Sequence, residues 1–173
     1  MVLRLILGVW MVVASAALSA PVSGSFPSAD GGELSLDQWR GQPILVVNTA
    51  SRCAYTKQYD ALQALYDRYR ARGLVVLAVP SDDFNQELAD IEAVKEFCTL
   101  NFALDLPMTE IIRVRGPLAH PVYKAIRNQS GFEPRWNFNK VLIGPNGEVV
   151  RSWGATEKPL SKRITQEIEA VLN

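Results

Sequence analysis

Residues 43–79 read PILVVNTASRCAYTKQYDALQALYDRYRARGLVVLAV. Pro43 to Asn48 is apolar and β-branched, the pattern of a strand covered on both faces. Thr56 to Arg72 carries Tyr59, Leu62, Leu65, Tyr66 and Tyr69 at helical spacing, and Gly73 stands just past the end as a stop. Leu74 to Val79 is a second buried run, closed by Pro80. Two strands separated by one helix cannot pair through a tight turn. The stretch therefore predicts parallel pairing and a right-handed crossover.

The flanks extend this unit on both sides. Asp30-Gly31-Gly32, inside Ser25 to Leu36, predicts a short hairpin, and Asp37 to Arg40 one helical turn ending at Gly41. Downstream, Ile91 to about Thr99 reads as a helix, and His120-Pro121 to Arg127 as a short one. Val141 to Ile143 and Val149 to Trp153 flank Pro145-Asn146-Gly147, a hairpin signal. Leu160 to Leu172 puts Ile164, Ile168, Val171 and Leu172 on one face, an amphipathic closing helix. The fold class is α/β: a mixed β-sheet with a parallel centre and an antiparallel edge hairpin, flanked by helices.

The 173 residues fit one domain. Lys plus Arg equal Asp plus Glu at 18 each, which leaves no electrostatic footprint for nucleic acid or an anionic membrane. One histidine, His120, and two cysteines, Cys53 and Cys98, are too few for an ordinary four-ligand zinc site. No Cys-x-x-Cys-His is present for haem attachment. No cofactor is expected. At the front, Arg4, the apolar run Leu5 to Val13 and the small residues Ala14 to Ala20 read as a signal peptide over residues 1–20. Cleavage falls somewhere in 16–20 and leaves a mature domain of 21–173; an uncleaved anchor is the alternative. The expected location is periplasmic or secreted. In an oxidising compartment two cysteines have one intramolecular connectivity, and a structural Cys53–Cys98 staple is the bland account.

Cys53 falls where the first buried strand gives way to the helix, with helix expected from Ala54 or Tyr55. Unpaired backbone N–H groups and the positive end of the helix dipole favour a thiolate there. A buried, inert thiol is the competing reading. Cys53-Ala54-Tyr55-Thr56 has no second sulfur, so a Cys-x-x-Cys disulfide exchanger is excluded. His120 carries no local signature of a catalytic base and reads as a residue at a helix start.

Asn48-Thr-Ala-Ser-Arg-Cys-Ala-Tyr-Thr56 resembles the peroxidatic motif of the glutathione peroxidase family, in its cysteine-containing form. The resemblance continues through Val79-Pro-Ser-Asp-Asp-Phe-Asn-Gln-Glu87, Phe97-Cys-Thr99, Val114-Arg-Gly-Pro117, Pro121-Val-Tyr-Lys124 and Trp136-Asn-Phe-Asn-Lys140, covering roughly residues 24 to 172. It departs from the family pattern at Ala54, Ser81 and Leu88. The resemblance implies a thioredoxin-like fold and a catalytic tetrad of Cys53, Gln86, Trp136 and Asn137. It implies Cys98 as a resolving cysteine of the thioredoxin-dependent branch, attacking a Cys53 sulfenic acid. The implied substrates are small-molecule peroxides, hydrogen peroxide and organic hydroperoxides. The implied reductant is a thioredoxin-like protein or a low-molecular-weight thiol. The span from Pro107 to Trp136 lacks the longer insertion of tetrameric members, so a monomer is expected. The alternative function is an exported thioredoxin-fold relay or binding protein with a structural disulfide and no peroxidase turnover.

Overall fold

The computed structural model describes residues 20–172; the expected signal peptide, all but Ala20, lies outside them. A first hairpin pairs β1 (Ser25–Pro27) with β2 (Glu33–Ser35), and a 3-10 turn at Leu36–Trp39 follows. The main sheet runs β4-β3-β5-β6, from β3 (Ile44–Thr49), β4 (Val75–Pro80), β5 (Lys140–Ile143) and β6 (Val149–Trp153). β3 and β4 are parallel through the crossover helix α1 (Gln58–Tyr69), as residues 43–79 predict. β3–β5 and β5–β6 are antiparallel, the second pair forming the edge hairpin. Bridges from Ala78 to Met108 and from Thr109 to Ser28 extend the sheet beyond β4 to the first hairpin. The remaining helices are α2 (Ile91–Phe102), α3 (Pro121–Ser130) and α4 (Lys162–Val171).

Side-chain alternation along the strands builds two core layers. Leu45 and Val47 of β3, Val76 and Ala78 of β4 and Leu142 of β5 face one way, against Leu62 and Leu65 of α1, Val94 of α2 and Ile164 and Ile168 of α4. Ile44 and Val46, Val75 and Leu77, and Val141 and Ile143 face the other way, against Val122 and Ile126 of α3 and Phe26 of the first hairpin. Every residue of β3 and β4 is buried, which is why both strands are continuous apolar runs.

Three boundaries differ from expectation. α1 begins at Gln58, not near Ala54. Thr56 is the cause: its hydroxyl accepts the Cys53 N–H (3.0 Å) and lies within donating distance of the Ala50 and Cys53 carbonyls (2.9 and 2.7 Å). A threonine that bonds local backbone in this way competes with helical pairing, and residues 53–59 wind as successive three-residue turns instead. α2 runs on to Phe102, whose ring meets Tyr59 (5.3 Å) and Phe97 (5.8 Å). α3 runs on to Ser130 and stops at Gly131, which takes the left-handed conformation (φ 72°).

Strand directions position the site. β3 and β4 are parallel, so both end at the same edge of the sheet; β5 is antiparallel and begins there. Residues 50–57, 81–90 and 135–139 therefore meet outside the carboxyl ends of the parallel strands, where open α/β sheets build their sites.

Candidate active site

Cys53 lies in the turn before α1 and is 9% exposed. Its sulfur receives one backbone N–H, from Tyr55 at 3.4 Å. The thiol therefore stands one turn ahead of the helix, not in its first turn. Its local dipoles come from the turn that Thr56 closes.

Backbone and side-chain bonds lash the three loops together. The Arg52 N–H donates to the Gln86 carbonyl (2.9 Å), and the Asn137 amide donates to Gln86 Oε1 (3.0 Å). Gln86 thus links the loop of Cys53 to the loop of Asn137, and its own amide N–H groups are not spent on Asn137. Asn137 is fully buried, whereas Trp136 is 41% exposed, with its ring 5.4 Å from Phe84. Phe84 in turn lies under the Arg115 guanidinium (5.2 Å).

Residues that sequence reasoning did not single out hold this arrangement. Asn48, buried in β3, donates from its amide to the Trp136 carbonyl (3.0 Å) and accepts the Asn139 N–H (3.1 Å). Asn139 also donates to the Trp136 carbonyl (2.8 Å). Phe138, between them, has φ 60°, a conformation that costs a side-chain-bearing residue roughly 1–2 kcal/mol. Its N–H donates to the Asn48 carbonyl (2.6 Å), which helps hold it there. Asn85, next to Gln86, is likewise left-handed (φ 55°). Two of the three loops carry a strained residue beside a candidate site residue. The one available signal was Asn48, a polar residue inside a buried apolar strand.

Glu87 is buried and accepts the backbone N–H groups of Ser51 and Leu88, both at 2.9 Å. Burial raises its carboxyl above the ordinary range, with the donated bonds pulling the other way. Cys98 projects from α2 into the same core layer as Cys53 and is 1% exposed. The Cys53 and Cys98 sulfurs are not bonded to each other in the structure. Burial pushes the Cys98 thiol up to about 11; the Tyr59 hydroxyl beside it acts against this and the Glu87 charge adds to it.

Comparison with known proteins accords with this geometry. Residues 24–127 match the family model "Glutathione peroxidase". The chain is 37% identical over 148 residues to "Glutathione peroxidase homolog BsaA" of Halalkalibacterium halodurans, covering 83% of this chain and 93% of that one. It is 36% identical to "Glutathione peroxidase-like peroxiredoxin gpx1" of Schizosaccharomyces pombe, over 83% of this chain and 92% of that one. The solved structure "Trgpx in apo form" superposes with a TM-score of 0.69 at 29% identity, over 87% of this chain and 94% of that one. A thioredoxin-family thiol:disulfide interchange protein from Chlorobium tepidum superposes at 0.66 with 16% identity, over 92% and 100%, a likeness of fold alone. The fold is thus thioredoxin-like, as the resemblance implied. A match to the family model over residues 24–127, with such relatives aligned along most of the chain, makes this protein a member of the glutathione peroxidase family and a peroxidase.

Proposed function

We propose that Cys53 is the nucleophile of a thiol peroxidase that reduces hydrogen peroxide and organic hydroperoxides. The Cys53 thiolate attacks one peroxide oxygen, the O–O bond breaks, and the leaving oxygen takes a proton and departs as water or alcohol. Cys53 is left as the sulfenic acid. Gln86, Trp136 and Asn137 act as donors: carboxamide and indole N–H groups do not titrate near neutrality and stabilise charge on the sulfur and the departing oxygen. The observation that carries this reading is the bonding of Gln86 to both neighbours, Arg52 on the Cys53 loop and the Asn137 amide.

Cys98 then attacks the Cys53 sulfur. The S–O bond breaks, water leaves and a Cys53–Cys98 disulfide remains, which a thioredoxin-like dithiol or a low-molecular-weight thiol reduces. The word "peroxiredoxin" in the name of the Schizosaccharomyces pombe relative supports a thiol reductant. α2 carries Cys98 buried in the core, so the helix must shift locally if the two Cα atoms stand more than about 7 Å apart. The protein acts as a monomer, exported to the periplasm or beyond after loss of residues 1–20.

A coupled peroxidase assay with a thioredoxin-type donor tests the roles of both sulfurs. Cys53→Ser is expected to abolish peroxide consumption. Cys98→Ser is expected to stop steady-state turnover while one equivalent of peroxide is still reduced. Turnover that survives Cys53→Ser overturns the mechanism, and turnover that survives Cys98→Ser removes Cys98 from it. Repeating the assay with glutathione identifies the donor class.

A further inference from the structure

Val114-Arg115-Gly116-Pro117 carries part of the family resemblance, yet the mechanism above assigns these residues no role. The structure ties them to the site at two points. Asp83 Oδ2, on the loop that carries Gln86, accepts the Val114 N–H (2.6 Å) and the Arg115 N–H (3.2 Å), and Asp83 Oδ1 lies 3.7 Å from the Arg113 guanidinium. Glu133 Oε1, on the chain that enters the Trp136 loop, accepts the Gly116 N–H (2.9 Å) and the Arg127 guanidinium (2.8 Å). Residues 113–116 therefore bridge the Gln86 loop and the approach to Trp136. From this bridge the Arg115 guanidinium lies over the Phe84 ring at 5.2 Å, and the Phe84 ring meets the Trp136 ring at 5.4 Å.

We propose that Phe84 is a positioning residue that sets the direction of the Trp136 indole, and that Arg115 holds the Phe84 ring in place. This rests on the donor role given to Trp136 above. Asn48 and Asn139 bond the Trp136 carbonyl, but a bond to a carbonyl leaves the side-chain torsions free. Trp136 is 41% exposed, so burial does not choose among its rotamers. Among the described residues, Phe84 is the one aromatic ring that touches it. Phe84 can serve as a fixed wall because it is buried in the core layer of Val114, Val122 and Tyr123. An N–H donor lowers a barrier only when it is aimed before charge develops, and a misplacement of about an ångström can cost on the order of 10²-fold. Asp83 and Phe84 thus act as a pair: the carboxylate fixes the loop of Arg115, and the ring beside it receives the guanidinium and supports the indole.

A double-mutant cycle on the oxidation step alone tests this. Reduced protein is mixed with hydrogen peroxide and quenched with an alkylating agent, and mass spectrometry follows the loss of free Cys53 thiol as a second-order rate. Trp136→Phe is expected to slow that rate about 10²-fold. Phe84→Leu, which keeps an apolar side chain without a ring, is expected to slow it about tenfold. Phe84→Tyr restores the ring and should recover most of that loss. Arg115→Ala, at an exposed position where folding is not at stake, is expected to cost about threefold. In the Trp136→Phe background neither Phe84→Leu nor Arg115→Ala should slow the step further, because no indole is left to aim. A purely structural loss would instead multiply through both backgrounds. A wild-type rate in Phe84→Leu, or an equal loss with and without Trp136, overturns the assignment of Phe84, and the same results for Arg115→Ala overturn that of Arg115. If Trp136→Phe oxidises at the wild-type rate, the donor role of Trp136 itself fails, in a protein whose Phe84 and Arg115 are untouched.

Discussion

Asn48 is buried in a strand that is otherwise apolar, and both ends of its amide are committed to the Trp136 loop. Those bonds do two jobs. They offset the desolvation of a polar side chain, and they help hold Phe138 in a conformation it does not favour, so that Asn137 stays turned toward Gln86. Asn48→Ala removes both bonds and leaves the Trp136 loop supported by Asn139 and the backbone. Losing two buried hydrogen bonds is expected to cost about 1–3 kcal/mol, read by urea unfolding. A displacement of catalytic donors by an ångström is enough for a loss on the order of 10²-fold, so peroxide turnover measured well below the melting range should fall by up to that factor. A variant that is less stable yet turns over at the wild-type rate argues against a positioning role for Asn48. Gln86 and Asn137 were legible as candidates because they sit in motifs. Asn48 and Thr56 act through bonds to distant or local backbone that no periodicity encodes.

At the scale of elements, α3 shows how a helix start can carry a titration. His120 is the N-cap; its Nδ1 accepts the Val122 N–H at 3.3 Å, and its ring stacks on Phe26 at 4.5 Å. An imidazolium has no free lone pair at Nδ1, so protonation breaks the cap. Burial holds the imidazole below its usual value, and the unfolded chain therefore takes up the proton first as pH falls. The stabilisation is complete above about pH 6.5 and is lost as pH drops from there toward the lower folded value. His120→Asn keeps a capping side chain without a titration in this range. The melting temperature of the wild type relative to His120→Asn is expected to be constant from pH 8 to 7 and to decline toward pH 5. A pH-independent difference rules out His120 as the source. This role agrees with reading His120 as a helix-start residue and not as a catalytic base.

Across the whole molecule, Lys140 adds polar bonds between parts that one core layer already packs together. It is fully buried at the start of β5, and its ammonium donates to Gln58 Oε1 (2.5 Å) at the head of α1 and to the carbonyls of Glu157 (2.6 Å) and Ala155 (3.5 Å) between β6 and α4. Burial lowers it to about 8, which marks the cost of keeping a charge there. Lys140→Met preserves the aliphatic stem and strands Gln58 Oε1 and the Glu157 carbonyl, while the Ala155 carbonyl keeps the Gln58 amide (2.7 Å). We expect a loss of about 2–4 kcal/mol in denaturant unfolding, with α1 loosened at its first turn beside the Cys53 loop. Unchanged stability would mean that water satisfies these acceptors without the lysine.

Burial pattern made the strand–helix–strand unit and the amphipathic last helix readable, because a strand covered on both faces and a helix with one apolar stripe differ in period, and the turn residues Asp30-Gly31-Gly32 and Pro145-Asn146-Gly147 marked the two hairpins. Loop 50–57 was readable as the seat of a thiol for the same reason. Its internal winding was not: the Thr56 hydroxyl outcompeted the helix, a side-chain effect that propensity does not report. The meeting of the loops that carry Cys53, Gln86, Trp136 and Asn137 followed from strand directions, two strands ending and one beginning at the same edge. The bonds that fix them span 51 positions between Gln86 and Asn137 and 88 between Asn48 and Trp136. Hydrophobic periodicity is a local signal and is blind at such separations. Glu87 ends a segment that carries the resemblance, yet nothing in the chain marked its burial, since a carboxylate becomes unusual only when the fold shuts water away from it.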